Sequence, residues 1–293
     1  MKLSTSTGHL FATLGEDEGL KALKDAGYDA LDLTLCGMST NPSSPFAQEN
    51  AIEHAEELAK KVRELGLYFN QSHTPFEFNW KNPNEFEERF MPLNIKSLEI
   101  SAAAGAKIAI VHPFHYSEYI GHEEEIFEKN MTFYRTLLPI AKDLDIKIAI
   151  ENMWRREIKR KYICPSACGT PEEFIRYIDT LDSEYIVGCL DLGHCSLVGI
   201  EAQDWIRAMG SDRIKALHVH DNSYTGDDHT LPGMGKMEWD EITRALADIN
   251  YSGEFTYEAD AFLRHFEPDF KPMAVRFMAE RGRHLISKIE SFK

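Results

Sequence analysis

Apolar and polar positions along the chain repeat eight times in one order, a short apolar run followed by a longer amphipathic one. The short runs read as strands. They are residues 2–7 (KLSTST), a run ending near Leu35, Tyr68 to His73, KIAIVHP, IKIAIENMW, YIVGCLDLGH, IKALHVHDN and GEFTYEAD. The longer runs read as helices. GEDEGLKALKDAG is closed by Gly27, and NAIEHAEELAKKVRELGL is stopped by Gly66. FEERFMPLNIKSLEISAAAGA carries a break at Pro92, and a further helix runs from about Glu123 to Leu144. TPEEFIRYIDTLDS has Thr170 as N-cap and Pro171 in its first turn. EAQDWIRAMGSD, MEWDEITRALADIN and a last helix from about Pro272 to Ile289 complete the set.

Alternation of this kind implies parallel strands joined by right-handed crossovers. Eight units in 293 residues fit a single (β/α)8 TIM barrel, one domain over residues 1–293. A doubly wound open sheet is the alternative, but no glycine-rich phosphate loop follows the first strand. In the fifth run Ile146, Ile148 and Ile150 face one way, and Lys147, Ala149 and Glu151 the other. The isoleucines suit a helix-covered outer face, while Ala149 suits a crowded interior.

Six of the runs end in a side chain able to bind a metal. They are His73, His112, Glu151, Asp191, His220 and Glu258. A lone acid at a strand end is normally solvated or caps a helix. Six at corresponding positions place ligands around one mouth, at the end where α/β barrels carry their chemistry.

Charge and cysteines narrow the setting. The formal net charge is −16, which speaks against a general polyanion binder, so no nucleic-acid partner is expected. The basic run of Arg155, Arg156, Lys159, Arg160 and Lys161 reads as a solvated loop or helix face. Five cysteines without framework spacing suggest reduced thiols and a cytoplasmic location. Neither a signal peptide nor an apolar run long enough to span a bilayer is visible, so no membrane partner is expected.

The motifs IENMW, LDLGH, HVHDN, DDHTLPGMGKMEW and YEAD resemble the xylose-isomerase-like barrel superfamily, over nearly the whole chain. That superfamily contains sugar isomerases and epimerases, inosose-type dehydratases and an endonuclease IV branch. The resemblance implies one divalent ion held by Glu151, Asp191, His220 and Glu258, with His218 a layer deeper. Mixed carboxylate and imidazole ligands suit Mn, Co, Mg, Zn or Fe. His73, His112, Asp227 and His229 match ligands of further ions in the endonuclease branch, or would contact substrate oxygens. His194 matches a substrate contact in the epimerases and a further ligand in the endonucleases. Glu157 matches an acid that epimerases use on substrate, although a solvated loop residue fits equally. Trp154, Trp80 and Phe114 would form an apolar wall, or pack in the core. The arginine that epimerases carry just beyond the strand-seven ligand is missing, since DNSYTG follows His220.

The expected activity is isomerisation or epimerisation of a sugar, sugar phosphate or polyhydroxy ketone, with Glu151 and Glu258 moving a proton through an enediolate. The expected partner is therefore a small carbohydrate, and a homo-oligomer is compatible with this reading. Loss of a β-hydroxyl by a dehydratase on the same site is the alternative. Phosphodiester hydrolysis by an endonuclease-like cluster ranks below both.

Overall fold

Eight parallel strands form one sheet that curls until its edges meet, in a computed structural model that describes residues 1–78, 82, 84–114 and 118–293. In chain order the strands are β1 (Leu3–Ser6), β2 (Ala30–Thr34), β3 (Phe69–His73), β4 (Ile108–Ile110) and β5 (Lys147–Glu151). A two-stranded antiparallel hairpin, β6 (Trp154–Arg156) and β7 (Ile163–Pro165), interrupts them. Then come β8 (Ile186–Asp191), β9 (Ile214–His218) and β10 (Phe255–Tyr257). The order around the sheet is β10-β1-β2-β3-β4-β5-β8-β9. Val219 closes the ring, with its N–H donating to the Thr256 carbonyl at 2.9 Å and its carbonyl accepting from Glu258 N at 3.1 Å. Helices cover the outside, so the fold is the (β/α)8 barrel that the alternation predicts.

The two faces of the strands divide as their side chains dictate. Ile146, Ile148 and Ile150 are fully buried in the outer core, against the helices. The lumen holds a small separate cluster of Ile110, Ala149, Val187, Cys189 and Ala216. Polar side chains share the barrel interior. Ser4 donates to Asn70 at 2.7 Å, Asn70 to Thr256 at 3.1 Å, and Gln71 to Asp32 at 2.9 Å. Buried polar groups are tolerated only when paired in this way.

Three local expectations are adjusted. The stretch after Glu151, read as a loop, contains the β6–β7 hairpin. The break at Pro92 appears as a change of pitch, where the π-helical turn Phe86–Phe90 runs into the α-helix Met91–Ala103. The seventh strand stops at His218, two residues short of His220. Its pairing with β8 also slips, because Gly188 pairs with Ile214 but Cys189 with Ala216. Lys215 is the extra residue, and the slip sets Asp191 level with His218.

All five cysteines are free. Among the described residues no helix is long and apolar enough to cross a membrane.

The last helix, Lys271–Phe292, crosses β1 and β10 at Gly282. A Cβ there would lie 2.5 Å from Leu3 Cδ1 and 2.9 Å from Tyr257 Cε2. Alanine in a helix normally gains ~1 kcal/mol over glycine, but overpacking a core costs about 1–3 kcal/mol. Gly282→Ala is expected to lose about 1 kcal/mol, and at most about 2 kcal/mol, in urea denaturation. A gain would show that the helix can move away from the barrel.

Candidate metal centre

Glu151, Asp191, His218 and Glu258 each offer a ligand atom, all four within 4.8 Å of one another, at the carboxyl end of the barrel. His218 Nδ1 is the hub, 3.3 Å from Glu151 Oε1, 3.3 Å from Glu258 Oε2 and 4.0 Å from Asp191 Oδ2. Its other nitrogen, Nε2, donates to Asp32 Oδ2 at 3.3 Å. Asp32 thereby orients the ring so that Nδ1 faces the carboxylates. Sequence reasoning missed Asp32, whose signal is a carboxylate in the middle of the strand ALDLT.

Two further groups adjoin this one. His73, Glu151 and His218 form the first. His112 joins it, with Nε2 2.9 Å from Glu151 Oε2 and 3.1 Å from His73 Nε2. The second comprises His194, His220, Asp227 and His229. There Asp227 Oδ2 lies 3.4 Å from His194 Nε2 and 3.1 Å from His229 Nε2. Three imidazoles are oriented by the main chain. Nδ1–H donates to the Thr74 carbonyl from His73 (3.0 Å), to that of Asn152 from His194 (2.8 Å) and to that of Glu258 from His229 (2.9 Å). A carbonyl only accepts, so each ring carries a proton on Nδ1 and turns Nε2 to the mouth, where in His194 and His229 it faces the Asp227 carboxylate.

The expected assignment had His220 with the three acids and His218 deeper. In the structure the three acids group with His218, and His220 groups with His194, Asp227 and His229. The β8–β9 slip brings His218 level with Asp191, and beyond the strand end His220 turns to place Nε2 3.0 and 3.1 Å from the two Asp191 oxygens. Gly193 makes room for that ring, since a Cβ there would lie 2.0 Å from His220 Cε1. His220 also stacks on His229 with centroids 4.1 Å apart.

The loop carrying Asp227 and His229 is pinned by Asp221, which is fully buried. Its carboxylate accepts from Gly233 N at 2.7 Å, Met237 N at 3.1 Å and Trp239 Nε1 at 2.8 Å. Gly235 is needed beneath it, because a Cβ would meet the Asn222 carbonyl and the Asp221 carboxylate at 2.3 Å. These contacts account for the LPGMGKMEW pattern. His229 itself sits at φ +42°, a left-handed backbone that its bond to Glu258 helps to hold.

The residues fit a divalent ion on their own chemistry. His218 Nδ1 and Asp227 Oδ1 are buried and lack a hydrogen-bond partner, and Glu151 Oε2 has only His112 Nε2 close by. Buried polar atoms in that condition are costly unless something else binds them. Burial opposes ionisation of Glu151, yet His218 and His112 hold its carboxyl well below the usual range. Burial pushes Glu258 the other way, up to about 7. Burial also lowers His73 to about 4, assisted by His112. Two glutamates from different strands, each 3.3 Å from His218 Nδ1, are placed to serve as base and acid.

A chamber of about 320 Å³ stands over the cluster, walled by Phe76, Phe78, Phe90, Phe114, Met153 and Trp154. Trp154 therefore lies at the mouth, with its ring centroid 6.5 Å from that of His194. Trp80 falls outside the described residues. Glu157 is not part of the chamber wall. It accepts from Arg160 N on its own hairpin and lines a side cavity with Lys159 and Tyr162.

The family described as the xylose isomerase-like TIM barrel matches residues 20–271, and the chain belongs to it. D-psicose 3-epimerase of Enterocloster bolteae is 32% identical over 124 residues, 42% of this chain and 37% of that protein. Probable endonuclease 4 of Staphylococcus carnosus is 27% identical over 199 residues, 62% of each. The chain spans about three fifths or less of the curated relatives it matches. Among solved structures, a D-tagatose 3-epimerase-like protein superposes with a TM-score of 0.74 at 20% identity, covering 99% of this chain and 97% of that one. The IOLI protein with a bound zinc atom superposes at 0.72 and 18%, covering 100% and 99%. At these identities the structural matches speak for the fold.

His218→Ala is expected to lower divalent-metal affinity at least a hundredfold. His220→Ala should cost about tenfold, the scale for a residue that orients a ligand. Metal titration of the chelator-stripped variants by calorimetry checks this, and equal losses would place both rings in one shell.

Proposed function

We propose that this chain is a divalent-metal-dependent isomerase or epimerase of a sugar or polyhydroxy ketone. The observation that carries the reading is the pairing of Glu151 and Glu258. They come from β5 and from the residue after β10, and both lie 3.3 Å from His218 Nδ1. Glu151, Asp191, His218 and Glu258 would hold the ion, whose identity among Mn, Co, Mg, Zn and Fe the donor set leaves open. A bound ion supplies a grip on the substrate carbonyl and its neighbouring hydroxyl, and acidifies the adjacent C–H.

The chain's own residues account for the rest. One glutamate takes the proton from carbon, and the other delivers a proton to the face from which it approaches. His73 and His112 stand on the Glu151 side and His194 and His229 toward Asp227, in reach of substrate oxygens. The aromatic wall keeps water from the reacting carbon. Five free cysteines agree with a cytoplasmic setting.

Incubation in heavy water with ketoses, keto-inositols and their phosphates should place deuterium beside the carbonyl of the true substrate. Glu258→Gln should lower that uptake at least a hundredfold while circular dichroism stays unchanged. Label in recovered substrate and its epimer or isomer supports this reading. Label with loss of water makes the protein a dehydratase instead, and turnover with no label defeats the proton transfer.

A specific observation favours a second reading. The groups around Asp227 and around His73 give the mouth donors for more than one ion, as phosphodiester cleavage by metals requires. The net charge of −16 weighs against a DNA substrate. No incision of an abasic duplex is expected at physiological salt. A gel showing efficient cleavage there would replace the sugar reading.

A further inference from the structure

A second cleft, of about 750 Å³ against the 320 Å³ of the chamber, reaches the carboxyl ends of β1 and β2 at Thr7 and Thr34. It runs out between the helices that carry Asp17 and Lys61. Strand register makes the two recesses neighbours. Thr34, the last residue of β2, pairs with His73 of β3. Thr34 lines the cleft and His73 the chamber. On the other side Glu258 lines the chamber, and Asp260, two residues later, lines the cleft.

The chamber lies near the lower end of the ~300–1,000 Å³ range of ligand pockets. The cleft adds more room than the chamber itself provides. Its surface mixes hydroxyl and amide groups of Thr34, Asn41 and Ser43 with the rings of Phe11 and Phe46. A sugar ring presents hydroxyls at its edge and C–H groups on its faces, which is the complement of such a surface. The cleft is a poor anion site, because its charges are largely matched. Lys61 pairs with Asp17 and His54 with Glu16, each at 2.7 Å, while Arg264 and Asp260 bring opposite charges to one rim.

We propose that the substrate carries a second, uncharged sugar ring, and that this ring lies in the cleft while the keto sugar reacts in the chamber. The substrate class is thus a glycosylated ketose, in preference to a free monosaccharide. This rests on the isomerase or epimerase reading for the reacting ring, but the cleft can be tested without turnover.

Ala12 is exposed, lines the cleft and is not among the residues that line the chamber. Ala12→Trp would fill the cleft and leave the metal cluster untouched. The probes are D-fructose, D-tagatose and D-psicose, set against the ketose disaccharides lactulose, turanose and isomaltulose. Deuterium uptake beside the carbonyl should proceed with a kcat/KM at least tenfold higher on one disaccharide than on the best monosaccharide. Ala12→Trp should erase that advantage and leave the monosaccharide rates within twofold. Saturation-transfer NMR reads binding alone. Protons of the non-reducing ring should receive saturation from the wild-type protein and lose it with Ala12→Trp. Equal efficiency on monosaccharides overturns the proposal, as does the absence of second-ring saturation or its survival in the variant. Second-ring saturation without deuterium uptake on any sugar would support the cleft and sink the proton-transfer reading, so the two failures are distinguishable.

Discussion

The mouth of this barrel concentrates carboxylates in a place that water hardly reaches, and that electrostatic constraint organises its surroundings. Glu151 and Asp191 are almost wholly buried, as is Asp32 one layer below. Burying an isolated carboxylate costs several kcal/mol. Imidazoles offset that cost, since each of these acids has a histidine within 3.3 Å. A cation would complete the compensation, which explains why donors gather at strand ends rather than scatter over the loops. The outer layer of isoleucines and the small lumen cluster then serve one end, holding eight strand termini at fixed spacing.

Rigidity at the mouth comes from two devices that act at different ranges. Strand register sets the heights of Asp191, His218 and Glu151, with the slip between β8 and β9 deciding which histidine of HVH meets the acids. The loop bearing Asp227 and His229 lies outside the named strands; the Asp221–Thr230 bridge anchors it, and the bonds converging on the Asp221 carboxylate hold the turn that follows. Position in the first case is an outcome of sheet geometry. In the second it rests on side-chain bonds, chiefly those to Asp221, together with the Asp221–Thr230 bridge and the His229 bond to Glu258.

What was legible in the sequence was periodic or local. Alternation in IKIAIE showed which side of β5 faces the lumen, and the strand-end ligands announced the mouth. What was not legible depended on pairing between distant segments. Nothing near His218 reveals that Lys215 is the extra residue, because the slip exists only relative to β8. Asp32 and His218 meet across 186 residues of chain, so the ALDLT strand gave no local hint of a partner. The β6–β7 hairpin was hidden by a basic run whose polarity suggested solvent, although its first residue, Trp154, turns a ring toward the mouth.

The hydrogen bonds from His73, His194 and His229 to backbone carbonyls have an evolutionary consequence. Every residue type carries a carbonyl, so these three rings keep their orientation whatever side chain stands at positions 74, 152 and 258. Mutation at position 74 can therefore sample new side chains without turning the His73 ring, whereas Asn152 and Glu258 are tied down by what their own side chains do for Asp191 and the cluster. His218 has no such freedom, because its orientation is held by the Asp32 side chain. A lineage exploring new substrates on this scaffold should drift more readily at position 74, beside His73, than at Asp32, on which the His218 ring depends.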